Sequence, residues 1–177
     1  MNLKIEKVPV VLNGVVRNLV FDLNAHYELS KKYITLQKLV DEIQRKSVDS
    51  VPEILQCGFA HEEEIPLIEL GLLVDVSNID YLTLQTIQAL MYSLPDSNKF
   101  TENQIPKPTT DEDTGWDWDW LYYMGTVLLN MSEAVFWRSS PRKLFALWAV
   151  HKKYNGLETG NDQEVSRATE AWLDQYI

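Results

Sequence analysis

Polar and apolar residues change period several times along this chain, and each change marks an element. Leu3–Leu12 and Val15–Asp22 are rich in Val, Leu and Ile and flank Asn13-Gly14. That pair favours the positive φ angles of a two-residue turn, so a β-hairpin is predicted. After Asp22 the spacing lengthens. Leu36, Leu39, Val40 and Ile43 follow the i, i+3, i+4, i+7 rule of an amphipathic helix. Ser50 and Glu53 form a capping-box pattern ahead of Ile54, Leu55 and Phe59, with Pro52 tolerated in the first turn. Leu84, Ile87, Met91 and Leu94 predict another helix, which Pro95-Asp96 ends. From 96 to 115 no apolar period survives among Ser97, Asn98, Asn103, Pro106, Pro108 and Gly115. That stretch reads as a linker.

Beyond it the pattern is helical. Trp120, Met124, Val127 and Leu128 form one stripe, with Asp117 and Asp119 suited to the positive end of a helix. Ser132 caps a short helix over Glu133–Trp137. Ser140-Pro141 opens a longer one carrying Leu144, Leu147, Trp148 and His151, closed by Asn155-Gly156. A last helix after Asp162 places Val165, Ala168, Trp172 and Tyr176 on one side. The expected fold class is α+β, mainly α. A hairpin-plus-helices module covers 1–95, a linker 96–115, and an all-helical, tryptophan-rich module 116–177.

Composition narrows the chemistry. The 177 residues carry 16 Lys and Arg against 26 Asp and Glu, a net charge of -10 that opposes broad nucleic-acid or anionic-membrane binding. A secretory signal needs an unbroken apolar stretch, which Pro9 and Asn13-Gly14 interrupt; a membrane span needs about 20 apolar residues, longer than any uncharged run here. A soluble, cytoplasmic protein is expected. Cys57, the single cysteine, allows no internal disulfide and reads as a small buried hydrophobe. His61-Glu62-Glu63-Glu64 lacks the second histidine of a zinc-protease helix and reads as an acidic exposed loop. An EF-hand counted from Asp111 would need glycine and glutamate where Trp116 and Tyr122 stand. No phosphate loop, metal set, cofactor site or catalytic constellation is expected, and the protein is read as no enzyme.

Two features point to partners. All six tryptophans lie beyond residue 115, and Trp116, Trp118 and Trp120 are spaced so that one helix cannot bury all three in a single core. Exposed aromatic clusters mark interaction surfaces. The helices of 117–154 also permit a helix-turn-helix arrangement, with Arg138, Arg142, Lys143, Lys152 and Lys153 and no acid from Ala134 to Leu157. That keeps a DNA-binding regulator open as an alternative.

Three segments, Trp116-Asp-Trp-Asp-Trp-Leu-Tyr-Tyr-Met-Gly, Met131-Ser-Glu-Ala-Val-Phe-Trp-Arg and Ser140-Pro-Arg-Lys-Leu-Phe-Ala-Leu, together resemble the carboxyl-terminal part of tail assembly chaperones of long-tailed bacteriophages. Ser140 stands where that family usually has threonine, keeping the capping hydroxyl. Leu12-Asn13-Gly14, the turn Phe21-Asp22-x-Asn24-Ala25 and the helix end Cys57-Gly58-Phe59-Ala60-His61-Glu62 extend the resemblance over most of the chain. The resemblance implies a non-enzymatic protein of the infected or lysogenic host cytoplasm, left out of the mature virion. It would keep the tape measure protein soluble and give way to tail tube protein. In many members a frameshift appends the second part, and 96–115 is where such a junction would fall. Residues 1–95 would then self-associate, in part through hairpin edges, and bind the tape measure protein. Residues 116–154 would recruit tube protein, with Trp116, Trp118, Phe136, Trp137, Arg142 and Lys143 as contacts.

Overall fold

A computed structural model of the chain describes residues 4–95 and 115–157. The fold is α+β, mainly α. Strands β1 (Val8–Leu12) and β2 (Val15–Leu19) pair antiparallel around Asn13-Gly14, with Leu12 opposite Val15 and Val8 opposite Leu19. Asn13 and Gly14 both take positive φ, 49° and 75°, as the two-residue turn demands. The strands are shorter than the apolar runs that predict them. Val8, Val10 and Leu12 face the core, whereas Val11 and Val16 meet on the outer face.

A two-residue loop makes Leu12 and Val15 a hydrogen-bonded pair, so Pro9 and Val11 present the free edge of β1. Pro9 has no N–H, and Val11 N donates to the Tyr81 hydroxyl at 3.1 Å. This edge is closed to further pairing. On β2 the open side carries Val16 and Asn18, and beyond the strand Val20 N donates to the Gly58 carbonyl at 3.0 Å.

Helix α1 (Leu23–Tyr33) follows at once. Asp22 caps it, its Oδ1 accepting from Ala25 N at 2.9 Å. The sequence reading treats 21–25 as a turn and misses this helix, because its inward row includes His26 and Ala25 beside Leu29 and Tyr33. The helix ends in a strained three-residue turn. Ile34 sits at φ 59°, ψ -58°, and Thr35 N donates to Tyr33 O at 2.6 Å.

Helices α2 (Leu36–Gln44), α3 (Ser50–Phe59), α4 (Leu67–Leu73) and α5 (Ile79–Ser93) complete the first module. Val10, Phe21, Leu29, Ile43, Ile54, Leu55, Leu70, Leu82 and Leu90 share its core with the hairpin's inner face. The expected capping box on α3 does not form. Ser50 is buried with no hydrogen-bond partner for its hydroxyl, Asp49 takes the cap position, and Glu53 turns outward to pair with Lys32.

The second module contains α6 (Trp118–Tyr123), a π turn over Met124–Leu128, α7 (Glu133–Trp137) and α8 (Pro141–Tyr154). Ser132 and Ser140 cap α7 and α8 as expected from sequence, and Asp117, expected as a favourable charge at the helix start, caps α6. The π turn alters the angular step after Met124, so Val127 leaves the expected stripe and is exposed, whereas Met124 is fully buried. Gly125 sits where a Cβ would strike the Phe136 ring. Leu121, Met124, Phe136, Leu144, Phe145 and Trp148 form a second core, joined by Leu23 of α1. The predicted helix after Asp162, and all of the linker except Gly115, lie outside the described residues.

Candidate partner-binding surface

Three of the six residues expected to contact partners, Trp116, Trp118 and Trp137, come together, but they do so at the joint between the modules. Trp116 stacks on His26 with ring centres 5.0 Å apart and planes at 28°. Trp118 meets Tyr27 edge-on at 5.2 Å, and its Nε1 donates to Ser30 Oγ at 2.9 Å. Trp137 lies 5.3 Å from Tyr27. Trp120 turns the other way, edge-on to Trp148 at 5.9 Å. All three tryptophans are half-buried against the second core, two of them also docking on α1 and the third turning to Trp148, so the spacing expected to keep them out of one core does not.

Phe136 is fully buried, edge-on to both Tyr122 and Trp137, and is a core residue in this fold. The sequence could not separate this role from a surface one, because core and interface aromatics share the same helical spacing. Arg142 is also committed: its Nε donates to Leu94 O at 2.8 Å and its guanidinium to Met91 O at 3.0 Å. These are carbonyls at the carboxyl end of α5, which a cation satisfies well. Lys143 is half-buried on α8, with its backbone N–H on Ser140 Oγ. Arg138 donates to the carbonyls of Ala60 and His61. Two of the five basic residues of this region therefore hold backbone rather than standing ready for phosphate.

The same joint carries a polar seam that sequence reading missed. His61 Nδ1 bonds Asp22 Oδ2 at 2.7 Å, so this side chain belongs to the joint and not to an exposed loop. Leu23 N donates to Ser139 O at 2.8 Å. His26 Nε2 pairs with Ser93 Oγ at 2.9 Å. Burial holds the His26 imidazole far below its ordinary range, at about 4, against the upward pull of Asp22. Cys57 is pushed up to about 11, first by burial and then by Glu28 and Glu53, so its thiol stays protonated and unreactive.

Open apolar surface lies elsewhere, and α5 carries part of it. Of the stripe that marks this helix in the sequence, Leu84 and Met91 face outward, 62% and 54% exposed, whereas Ile87 is half-buried against the first core and Leu94 is half-buried too. Leu84, Ile87 and Met91, with Gln88, Tyr92 and Arg142, line a groove of about 380 Å³ between α5 and the start of α8. The inward face of α5 is built from Leu82, Thr83, Thr86, Ala89, Leu90 and Ser93. Ile68, Leu72 and Val76 on and after α4 are exposed as well, as are Val11, Val15 and Val16 of the hairpin. Among the described residues no metal-binding cluster occurs, and no helix is long and apolar enough to cross a membrane. No family model, curated protein or solved structure matches the chain.

Proposed function

We propose that the protein is a phage tail assembly chaperone whose α5 groove receives an amphipathic helix of the tape measure protein. The observation that carries this reading is the exposed apolar pair on α5. Leu84 and Met91 keep the i, i+7 spacing of an element made to pack yet stand exposed, with Ile87 half-buried between them. An amphipathic helix laid along it would bury its own apolar row against Leu84, Ile87 and Met91, the helix-in-groove mode of recognition. Each well-covered side chain contributes about 1.5–3 kcal/mol, enough for reversible capture and release. The net charge of -10 keeps many copies apart when they line one long client. Tail tube protein would then displace the chaperone in the host cytoplasm, and copies would associate through the first module.

The test is co-expression with the tape measure protein encoded beside it. The wild-type chain is expected to keep that protein in the soluble fraction as a complex. Leu84→Asp with Met91→Asp is expected to abolish this while leaving the circular dichroism unchanged, since both positions are exposed. Unchanged tape measure solubility with the wild-type chain would overturn the reading. Undiminished capture by the double variant would move the site off α5.

A further inference from the structure

The two edges of the hairpin are finished differently. On β2, Val16 and Asn18 turn their N–H and C=O groups outward, and among the described residues no hydrogen bond reaches them. The opening is short. Past Asn18, Val20 N donates to Gly58 O at 3.0 Å, so the end of α3 blocks the edge there. The surface around the opening is apolar: Val16 is 65% and Val11 50% exposed, side by side on the outer face, and Val15 at the tip is exposed as well. Arg17 lies 3.3 Å from Glu63 and 3.9 Å from Glu69, which sets α4 on the β2 side. Leu72, about one turn on from Glu69, is exposed and adds to the apolar area.

An edge of free backbone groups is satisfied by one kind of occupant, another strand. Among the described residues β2 is itself the open strand edge, so a second copy of the chain brings the matching element. The register follows from what must be avoided. Antiparallel pairing centred on Arg17 would set two guanidinium groups opposite each other. It would also bring the second copy's Gly14 against Val20, whose N–H is already taken. Centred on Val16, the pairing places Arg17 beside the other copy's Val15 and Asn18 beside its Gly14. Gly14 has no side chain to crowd the Asn18 amide, which donates to Glu62 Oε2 at 2.8 Å.

We infer that two copies pair antiparallel through β2 with Val16 opposite Val16, so that Val11, Val16, Val16 and Val11 form one row across the outer face of the joined hairpins. The two Val16 residues exchange both backbone hydrogen bonds, and the row adds cross-strand packing. Self-repulsion from the net charge of -10 is screened at physiological salt, where the Debye length is about 8 Å. The contact falls at the small end of specific interfaces, below about 1,200 Å² in total, so a reversible pair of micromolar strength is expected. The pairing gives a definite contact to the self-association in the proposed function and rests on that part of it alone.

Crosslinking and sedimentation of the full chain test this without any client, so failure here is distinct from failure of the α5 groove. Val16→Cys is expected to form disulfide-linked pairs under mild oxidation, because hydrogen-bonded partners have Cα atoms about 5.5 Å apart, within disulfide reach. Val11→Cys, on the same outer face, is expected to link at least about tenfold more slowly, since three strand spacings, about 14 Å, separate its two copies. Wild type, whose single thiol is the protonated Cys57, sets the background. Sedimentation of wild type is expected to show the pair by about 100 µM. Val16→Lys, at an exposed position, sets like charges opposite each other and is expected to weaken the pair at least about tenfold with circular dichroism unchanged. A wild-type chain that stays monomeric at that concentration would refute the pairing. So would Val11→Cys linking as fast as Val16→Cys, which would mean face-to-face packing, or a pair that Val16→Lys leaves intact.

Discussion

The indole of Trp118 and the hydroxyl of Ser30, 88 residues apart, are joined by a 2.9 Å hydrogen bond that fastens the second module to α1. Trp118→Ala removes this bond and the edge contact with Tyr27. A loss of about 2–3 kcal/mol is expected for a half-buried indole. Ser30→Ala, which removes the acceptor along with the hydroxyl's own bond to Tyr27 O, is expected to cost about 1 kcal/mol. Denaturant unfolding gives both values. Hydrogen exchange should show the loosening in α6–α8 before it reaches the hairpin.

His26 predicts a stability loss in mild acid. Above about pH 6.5 its imidazole is neutral in the folded and the unfolded chain, and it adds no pH dependence. Below that, the unfolded chain binds a proton that the buried ring refuses, so stability falls as pH drops. The loss levels off near pH 4, where the folded ring protonates too, and amounts to about 3 kcal/mol in all. His26→Gln is expected to flatten this part of a chemical-denaturation profile between pH 7 and 4. An equally steep profile in the variant would assign the effect to other groups.

Arg142 and Lys143 are neighbours in sequence with unequal structural weight. Arg142→Met frees the carbonyls of Met91 and Leu94 and is expected to cost about 1.5–3 kcal/mol. Lys143→Met is expected to change stability by less than about 0.5 kcal/mol. Thermal melts of the two variants measure the contrast. It also fixes how a DNA-binding test must be built. Charge reversal at Arg142 damages the fold, so a duplex-DNA shift assay is better built on Lys143→Glu, Lys152→Glu and Lys153→Glu.

Two glycines in helical segments are expected to respond with opposite sign. Gly125→Ala drives a methyl group into the Phe136 ring and should destabilise by about 1–3 kcal/mol. Gly71 lies within α4 with open space around its Cα, and Gly71→Ala should stabilise by about 0.5–1 kcal/mol. Unfolding midpoints in guanidinium decide both.

The particular elements show what the amino-acid pattern conveys and where it stops. The hairpin turn, α5 and the caps at Ser132 and Ser140 were legible because each depends on a local rule of backbone geometry. Which side of α5 faces inward was not. Thr86 and Ser93 can be buried because their hydroxyls donate to Leu82 O and Leu90 O, each at 2.7 Å, and that compensation exists only once the helix does. Helix α1 was hidden for a related reason, since a histidine occupies its inward row and becomes acceptable through Ser93 and Trp116. The tryptophan run marked an important surface, but the partner that holds Trp116 and Trp118 is the protein's own first module.

The closed edge of β1 sets a limit on how copies of this protein could join. With Pro9 and the Tyr81 hydroxyl occupying one side of the hairpin, only β2 can accept another strand. Two copies meeting through β2 would form one four-stranded sheet whose outer borders are both β1, and neither border can recruit a third. Growth by strand addition therefore stops at a symmetric pair and cannot run on into a fibre. The useful property of this hairpin is that it terminates: a pair can form through β2, and a chain of copies cannot.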